Sequence, residues 1–388
     1  MAGGLQDALA RVAEVGPLAA QHAEEAERIG RLTPEVVQAF HDTALWRVLL
    51  PHELGGYDLS IPESIEVFRA MSVHDASTGW LHAICGQGPQ FGNFVTQAVF
   101  EEVFADPRSV MAGSLNPLGG VATPVAGGYR FDGLATNVSG CLHSNWLMAG
   151  AWVHRDGGKS WIDGAPEMIA GLMPMSDASI DETWSVSGMR ATGSNDCGYR
   201  DVFVPAERTY AWPEPPPRRE AGPAGNIPMH VQLGGGIAAT VVGTARGAWQ
   251  RFVDLATSKR PTGNTGVLAD RSFAQMAVGE AEGLLIAAED TLAAGVQDIW
   301  QQGSRGDPFT QDDRLRLRLR MVTAVRLALR VVDLVNDAAG MSGVRRPGPL
   351  ERAWRDAHTA AQHILLATGR LEVAGRLRLG LAPDSSVI

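Results

Sequence analysis

The sequence predicts a mainly α-helical α+β protein in which a helical domain, a small β domain and a helical bundle follow one another. Three observations indicate this: helical periodicity in the first hundred residues, short β-rich runs between glycine turns in the middle, and long apolar-striped segments after residue 236. We place the helical domain at 1–107, the β domain at 108–211, a proline-rich linker at 212–235 and the bundle at 236–388.

The first domain has clear helix signals. Thr33 followed by Pro34 is a favourable helix start, and apolar residues then recur at helical spacing. Pro51 with Gly55 and Gly56 ends that pattern, and a second helix is predicted over 61–72.

The middle region predicts a small barrel or sandwich. Its β-rich runs cover 127–133, 149–154, 168–173 and 201–205, with glycine turns between them. In the last region, helices are predicted over 237–258 and 273–301. A third follows a capping box formed by Thr310 and Asp313, and a fourth covers 350–369. Helices of this length typically pack as an antiparallel bundle.

Composition excludes several functions. The 388 residues are 45% hydrophobic with a net charge of −10, which argues against a nucleic-acid or anionic-membrane surface. No stretch is long and apolar enough to span a bilayer, and the first twenty residues do not resemble a signal peptide. Three scattered cysteines are typical of a reduced cytoplasmic protein without disulfides or a metal site.

Several segments, in order and at matching spacing, resemble the acyl-CoA dehydrogenase superfamily over nearly the whole chain. They are the turn 50–56, the Asp75-to-Trp80 segment, the glycine-rich segment 184–196, the start of the first bundle helix at 243–247, and the pair Arg355-Asp356. The resemblance implies an acyl-CoA dehydrogenase-like fold and a homotetramer.

One departure from the dehydrogenases is informative. In them, a Tyr-Glu-Gly follows the Arg-Asp pair, and the glutamate removes the substrate α-proton. Here His363 takes the place of the tyrosine and Ile364 that of the glutamate. Isoleucine cannot accept a proton, so the chain resembles the flavin-dependent monooxygenases of the same superfamily.

That branch implies a two-component monooxygenase. Reduced FAD or FMN would arrive from a separate NAD(P)H:flavin reductase, because the sequence has no nicotinamide-binding glycine motif. Oxygen would add to form a C4a-hydroperoxyflavin, which would hydroxylate an aromatic or polycyclic substrate or oxidise an amine.

The resemblance also assigns site residues. Ser139 would place its hydroxyl against flavin N5, Ser114 would line the isoalloxazine, and Trp80 would lie at the flavin edge. The alternatives are a turn serine that satisfies its own backbone and a core tryptophan. His363 would accept the substrate proton or position the hydroperoxide, since imidazole titrates near neutrality; the alternative is a silent core histidine.

Three further residues are assigned to the pocket and the cofactor. His82 and His143 are within reach of the predicted substrate pocket. Arg260 matches a family arginine that contacts the cofactor phosphates of a neighbouring subunit, although a cation at a helix end also explains it. Pro261 stands where the family has phenylalanine, which leaves FMN as well as FAD open.

Two other functions compete. An acyl-CoA dehydrogenase with a relocated base would need an acid on the first bundle helix, but the corresponding residues 233–236 contain none. A non-catalytic flavin carrier would not need Ser139, His363 and Arg260. The substrate itself is not readable from the sequence.

Overall fold

The computed structural model describes residues 3–212, 217–220, 222–263 and 265–382. The helices are α1 (Leu5–Ile29), α2 (Pro34–Asp42), α3 (Ile61–His74), α4 (Ala76–Gly86), α5 (Gly88–Phe91), α6 (Gln97–Phe104), α7 (Gly222–Gly225), α8 (Met229–Ser258), α9 (Ser272–Arg305), α10 (Gln311–Ala339), α11 (Pro349–Ala360) and α12 (Gly369–Arg378). The strands are β1 (Met111–Ser114), β2 (Gly120–Val125), β3 (Gly128–Val138), β4 (Trp146–Arg155), β5 (Gly158–Lys159), β6 (Trp161–Ile162), β7 (Ala165–Pro166), β8 (Met168–Pro174), β9 (Ser179–Asp181), β10 (Asn195–Pro205) and β11 (Thr209–Trp212). The predicted mainly helical α+β class is confirmed.

The N-terminal helices begin where their capping residues predict. Helix α2 starts at Pro34, directly after Thr33. Helix α3 starts after Ser60, whose hydroxyl and the Glu63 carboxylate form a capping box. Helix α4 follows at once, because the Asp75 carboxylate accepts the Thr78 amide at 2.9 Å and caps its first turn.

The β domain is a mixed sheet that curls on itself. In the described residues its strand order is β11-β8-β4-β2-β3-β10-β9, with β1 and β5 also paired to β4. The pairs β1–β4 and β2–β4 are parallel, and the other pairs are antiparallel. In a flat sheet β3 and β8 would lie about 14 Å apart, yet the Phe131 ring of β3 contacts Gly171 of β8. The sheet therefore closes around Phe131, as a barrel does.

Helix α8 is the centre of the helical structure and contacts α3, α4, α9, α10 and α11. It begins at Met229, eight residues before the predicted start. The sequence did not predict this earlier start, because Gly234, Gly235 and Gly236 lower helix propensity. In the fold each of the three glycines allows close packing. A Cβ on them would lie within 2.7 Å of Met321, Ile65 and Gln87, respectively.

The predicted linker is thus partly helical. Residues 222–225 form α7, and those from Met229 on belong to α8. Residues 213–216 and 221 of this segment lie outside the described residues.

The later helices confirm one prediction and correct another. Helix α10 begins after Thr310, which forms the predicted capping box with Asp313. The predicted fourth helix over 350–369 is wrong, because α11 ends at Ala360 and turns occupy 361–368 before α12. His363 consequently lies in a turn.

The three cysteines are buried and free. Among the described helices, none is long and apolar enough to cross a bilayer.

Candidate active site

Helix α4 brings the first site residue, Trp80, against the β domain. Gly79 permits this placement, since a Cβ there would lie 2.0 Å from the Ser72 hydroxyl of α3. The two helices therefore pack closely. The Trp80 side chain is 7% exposed, and its indole Nε1 donates a hydrogen bond to Ser139 Oγ at 3.0 Å.

Ser139 belongs to a chain of buried hydroxyl groups. Its Oγ lies 2.8 Å from Ser194 Oγ, which lies 2.7 Å from Thr192 Oγ1. Thr192 Oγ1 in turn donates to the Met189 carbonyl at 2.8 Å. Each hydroxyl has one proton, so the proton of Thr192 fixes the order. Ser194 then donates to Thr192, and Ser139 donates to Ser194.

This order leaves Ser139 with an oxygen lone pair for a ligand and no proton. A proton for a ligand atom becomes available if Ser194 turns and donates to Ser139 instead. The chain therefore determines whether Ser139 acts as donor or acceptor.

The turn around Ser139 has an unusual backbone. Asn137 has φ of 56° and Gly140 has φ of 78°, both in the left-handed region. Asparagine tolerates this region better than most residues, and the Asn137 amide is held by Asp196 Oδ1 at 2.9 Å. The two positions turn the chain sharply out of β3 and place Ser139 beside α4.

His363 also contacts Trp80. The two rings meet edge to face with centroids 5.7 Å apart. Burial, and then the charges of Arg318 and Arg370, lower the pKa of His363 to about 4. The imidazole is therefore neutral at pH 7.

The hydrogen bond that His363 makes defines its tautomer. Nδ1 accepts the Leu365 amide at 3.3 Å, so in the neutral ring the proton is on Nε2. The ring presents a donor at Nε2. Acceptance of a substrate proton there would first require the existing proton to move to Nδ1. This arrangement favours a positioning role over that of a base.

The Arg355-Asp356 pair joins the bundle to the β domain. Asp356 Oδ1 accepts the Met189 amide at 2.5 Å, and Arg355 Nη1 donates to the Ser187 carbonyl at 2.5 Å. A Cβ at Gly188 would lie 2.2 Å from the Arg355 carbonyl oxygen, so only glycine fits. Burial, and then the charge of Asp75, raise the pKa of Asp356 to about 7.

The pair thus holds residues 187–189 against α11. Thr192 and Ser194 follow in the same segment, and His363 follows three residues after the end of α11. The Arg355-Asp356 pair therefore links the hydroxyl chain to the segment that carries the His363 imidazole.

The structure brings together three of the predicted site residues, Trp80, Ser139 and His363. Ser114 is partly buried at the end of β1, which packs against α4. Arg260 is not part of the cluster; it lies exposed after the end of α8, with Nη1 3.5 Å from the Thr265 carbonyl oxygen.

Both histidines predicted to reach the substrate pocket make structural contacts. His82 is fully buried between Phe40 and Phe68, and its Nε2 contacts the Leu45 carbonyl oxygen at 2.9 Å. Burial lowers its pKa to about 3. We correct its assignment to that of a core histidine.

His143 accepts the Leu32 amide at Nε2, at 3.2 Å, and so links the β domain to the turn between α1 and α2. Burial lowers its pKa to about 4. His143 is partly exposed, and its assignment to the substrate pocket stays a prediction.

Sequence reasoning missed Ser194 and Thr192. Both lie in the glycine-rich segment 184–196 that carried the resemblance, on either side of Gly193. Two hydroxyl residues flanking a glycine are a usable signal, but only the fold shows that they meet Ser139.

These residues fit a flavin. Its ring system is flat and apolar on its faces, with nitrogen and oxygen atoms along one edge. The Trp80 and His363 rings offer flat neighbours, and Ser139, 8% exposed, offers a hydroxyl whose proton can point either way. The dehydrogenase base position holds Ile364, which is 60% exposed and has no titratable group.

Comparisons with known proteins show the family to which the chain belongs. The family model described as acyl-CoA dehydrogenase, C-terminal domain, matches residues 235–368. The chain is 31% identical over 370 residues to a pigment production hydroxylase of Rhodococcus erythropolis, covering 93% of each chain. It is 29% identical over 354 residues to the flavin-dependent monooxygenase, oxygenase subunit HsaA, of Rhodococcus jostii, covering 89% of this chain and 91% of that one.

A solved structure resembles the whole chain. XiaF from Streptomyces sp., in complex with FADH2 and glycerol, superposes with a TM-score of 0.89 at 25% identity, covering 99% of this chain and 98% of that one. The chain therefore belongs to the acyl-CoA dehydrogenase superfamily, within its branch of flavin-dependent monooxygenase oxygenase components.

Proposed function

We propose that this chain is the oxygenase component of a two-component monooxygenase. It would use reduced FAD or FMN and dioxygen to hydroxylate an aromatic or polycyclic substrate, or to oxidise an amine. The observation that carries the proposal is the meeting of Trp80, Ser139 and His363 beside Ile364, which cannot act as a dehydrogenase base.

Reduced flavin, when bound, supplies the electrons that activate dioxygen. Trp80 and Ser139 would hold its polar edge, and Ser194 would set the direction of the Ser139 proton. His363 holds a proton at Nε2 without positive charge, so it donates a hydrogen bond to a substrate oxygen. Burial of the hydroxyl chain excludes water, which protects a reactive oxygen species from unproductive decay.

The proposal includes partners and an assembly. A separate NAD(P)H:flavin reductase supplies the electrons in the cytoplasm, since the sequence has no nicotinamide motif. A homotetramer would cover Phe273, Met276 and Ile286 of α9, which are 54%, 71% and 52% exposed. Exposed Arg260 would then be free to meet a cofactor phosphate across the interface.

The test mixes the protein with anaerobically reduced FMN or FAD and then adds oxygen. We expect the oxidised-flavin absorbance to return more slowly than for free flavin, with less hydrogen peroxide released early. Ser139→Ala should shorten the delay, whereas Ser176→Ala, at an exposed serine, should not. Oxidation at the rate of free flavin with both cofactors would contradict the proposal.

A further inference from the structure

Arg318 of α10 is a buried cation that the described part of the chain leaves almost unpaired. The residue is 4% exposed, and its one hydrogen bond to the described residues runs from Nη1 to the Leu365 carbonyl oxygen at 3.1 Å. Nε has no partner, and no described carboxylate forms an ion pair with the guanidinium. Burial, and then the charge of Arg370, lower the pKa of Arg318 to about 10, so the side chain is still charged at pH 7. A buried charge is costly unless an opposite charge compensates it.

Two other arginines are buried in the residues that the structure describes, and both are well paired. Arg47 donates to the backbone carbonyl groups of four residues. Arg355 forms ion pairs with Glu27 and Glu351. Arg318 has the same five N–H donors and uses one of them. The contrast indicates that the partner of Arg318 is an anion from outside the described residues.

Arg318 lies beside the candidate active site. The backbone of Leu365 joins the two, because its carbonyl accepts the Arg318 hydrogen bond and its amide donates to His363 Nδ1 at 3.3 Å. The path from the guanidinium through this one residue to the imidazole is therefore no longer than about 10 Å. The charge of Arg318 also contributes to the low pKa of His363, as expected at a short distance.

The guanidinium is not sealed on every side. Nε is shut off from solvent, whereas Nη2, which also has no partner among the described residues, is not. His363 is partly exposed, and Ile364, between it and Leu365 in the chain, is 60% exposed. A ligand with one aromatic ring that contacts the imidazole can therefore place its other end at Nη2.

We propose that the substrate is an aromatic acid and that Arg318 binds its carboxylate. A guanidinium presents its N–H donors in the geometry that a carboxylate accepts. The short path through Leu365 fits an acid with a single ring, in which His363 Nε2 contacts an oxygen at the end remote from the carboxylate. The inference rests on the proposed function, because that function places the reacting part of the substrate at His363.

The experiment compares charged ligands with neutral ligands of the same shape. Two acids, 4-hydroxybenzoate and 3-(4-hydroxyphenyl)propanoate, are each paired with the corresponding carboxamide. Binding to the full chain is measured by equilibrium dialysis at pH 7.5, without flavin or oxygen. We expect at least one acid to bind about tenfold more tightly than its amide, since the amide leaves the guanidinium charge uncompensated.

Arg318→Met is the main variant, because it removes the charge and keeps an unbranched side chain. It should reduce the preference for the acid to about twofold or less. Without ligand it should not lower the melting temperature, since an apolar side chain replaces an uncompensated buried charge. Arg318→Gln, which retains a donor for the Leu365 carbonyl, should lose the preference as well. Arg326→Met, at an exposed arginine of the same helix, is the matched control and should keep the full preference.

A flavin phosphate is the other anion that could meet this guanidinium. FMN and riboflavin, which differ by the phosphate, are therefore dialysed against the same proteins. We expect Arg318→Met to leave the ratio of their affinities unchanged. Loss of a preference for FMN, together with an unchanged preference for the acid, would assign Arg318 to the cofactor and overturn the substrate assignment.

Equal affinity of the wild type for acid and amide in both pairs, or no binding of either acid, would overturn the proposal. A preference that survives in both neutral variants would overturn it too, because another group would then bind the carboxylate. Because neither oxygen nor reduced flavin is present, this result is separate from that of the oxidation test. A chain with the preference but without oxygenation would contradict the proposed function alone.

Discussion

The low pKa of His363 makes a quantitative prediction for the pH dependence of oxygenation. Burial and two nearby arginines lower this pKa from 6.5 to about 4. We expect the neutral His363 ring to be the form that contacts the substrate. This neutral form remains the main one as the pH falls from 8 to 5. At pH 5.5 a histidine with pKa 6.5 would be about 9% neutral, whereas one with pKa about 4 is about 97% neutral.

The expected difference is therefore about tenfold. The assay is product formation at pH 5.0–8.0 with reduced flavin supplied photochemically, so that no reductase limits the rate. We expect the ionisation of His363 to change the rate less than twofold across this pH range, because the ring stays mainly neutral. His363→Leu, which removes the Nε2 donor, should lower it about 100-fold at every pH.

His358→Gln is the control, because His358 is five residues away and contacts Asp333 instead of the site. A tenfold loss of activity between pH 7.5 and 5.5, with a midpoint near 6.5, would show that the pKa of His363 is not lowered. A rise in activity over the same range would show that the charged ring is the working form.

Three further predictions concern stability, measured by urea unfolding. Ser139→Ala leaves the Trp80 indole N–H without an acceptor and should lower the free energy of unfolding by about 2 kcal/mol. In a Trp80→Phe background the same substitution should cost about 1 kcal/mol less. Additive effects of the two substitutions would show that this hydrogen bond does not contribute to stability. The raised pKa of Asp356 stabilises the folded protein at low pH, and this stabilisation is lost as the pH rises to 7. The free energy of unfolding of the wild type should therefore fall by about 1.4 kcal/mol per pH unit between pH 5 and 7, relative to that of Asp356→Asn. Parallel plots of this free energy against pH for the two proteins would contradict the prediction. Gly188→Ala should cost about 3 kcal/mol by collision with the Arg355 carbonyl, and an unchanged midpoint would show that the two segments can separate.

Local signals predicted much of the fold. Thr33 before Pro34 and the Thr310 capping box both marked true helix starts, although only the Thr310 side chain caps its helix, and Thr33 Oγ1 contacts His22 Nδ1 instead. The start of α8 was missed because Gly234–Gly236 are unfavourable in an isolated helix. They are favourable here only through contacts with α3, α4 and α10, which local sequence does not reveal.

The candidate site was predicted in part. The resemblance pointed to Trp80, Ser139 and His363, and the fold brings them together. It did not reveal that Ser194 controls the proton of Ser139, because that contact joins residues 55 positions apart. Nor did it show that His363 lies in a turn, since periodicity continues past Ala360 although the helix does not.

We infer that this chain transfers oxygen and does not remove hydrogen from a thioester. The most direct test is a single turnover with reduced flavin and ¹⁸O₂ over a panel of aromatic, polycyclic and amine substrates, analysed by mass spectrometry. We expect one ¹⁸O atom in a product, formed about 100-fold more slowly with His363→Leu. The absence of labelled product across the panel, together with anaerobic bleaching of the bound oxidised flavin by an acyl-CoA, would contradict it.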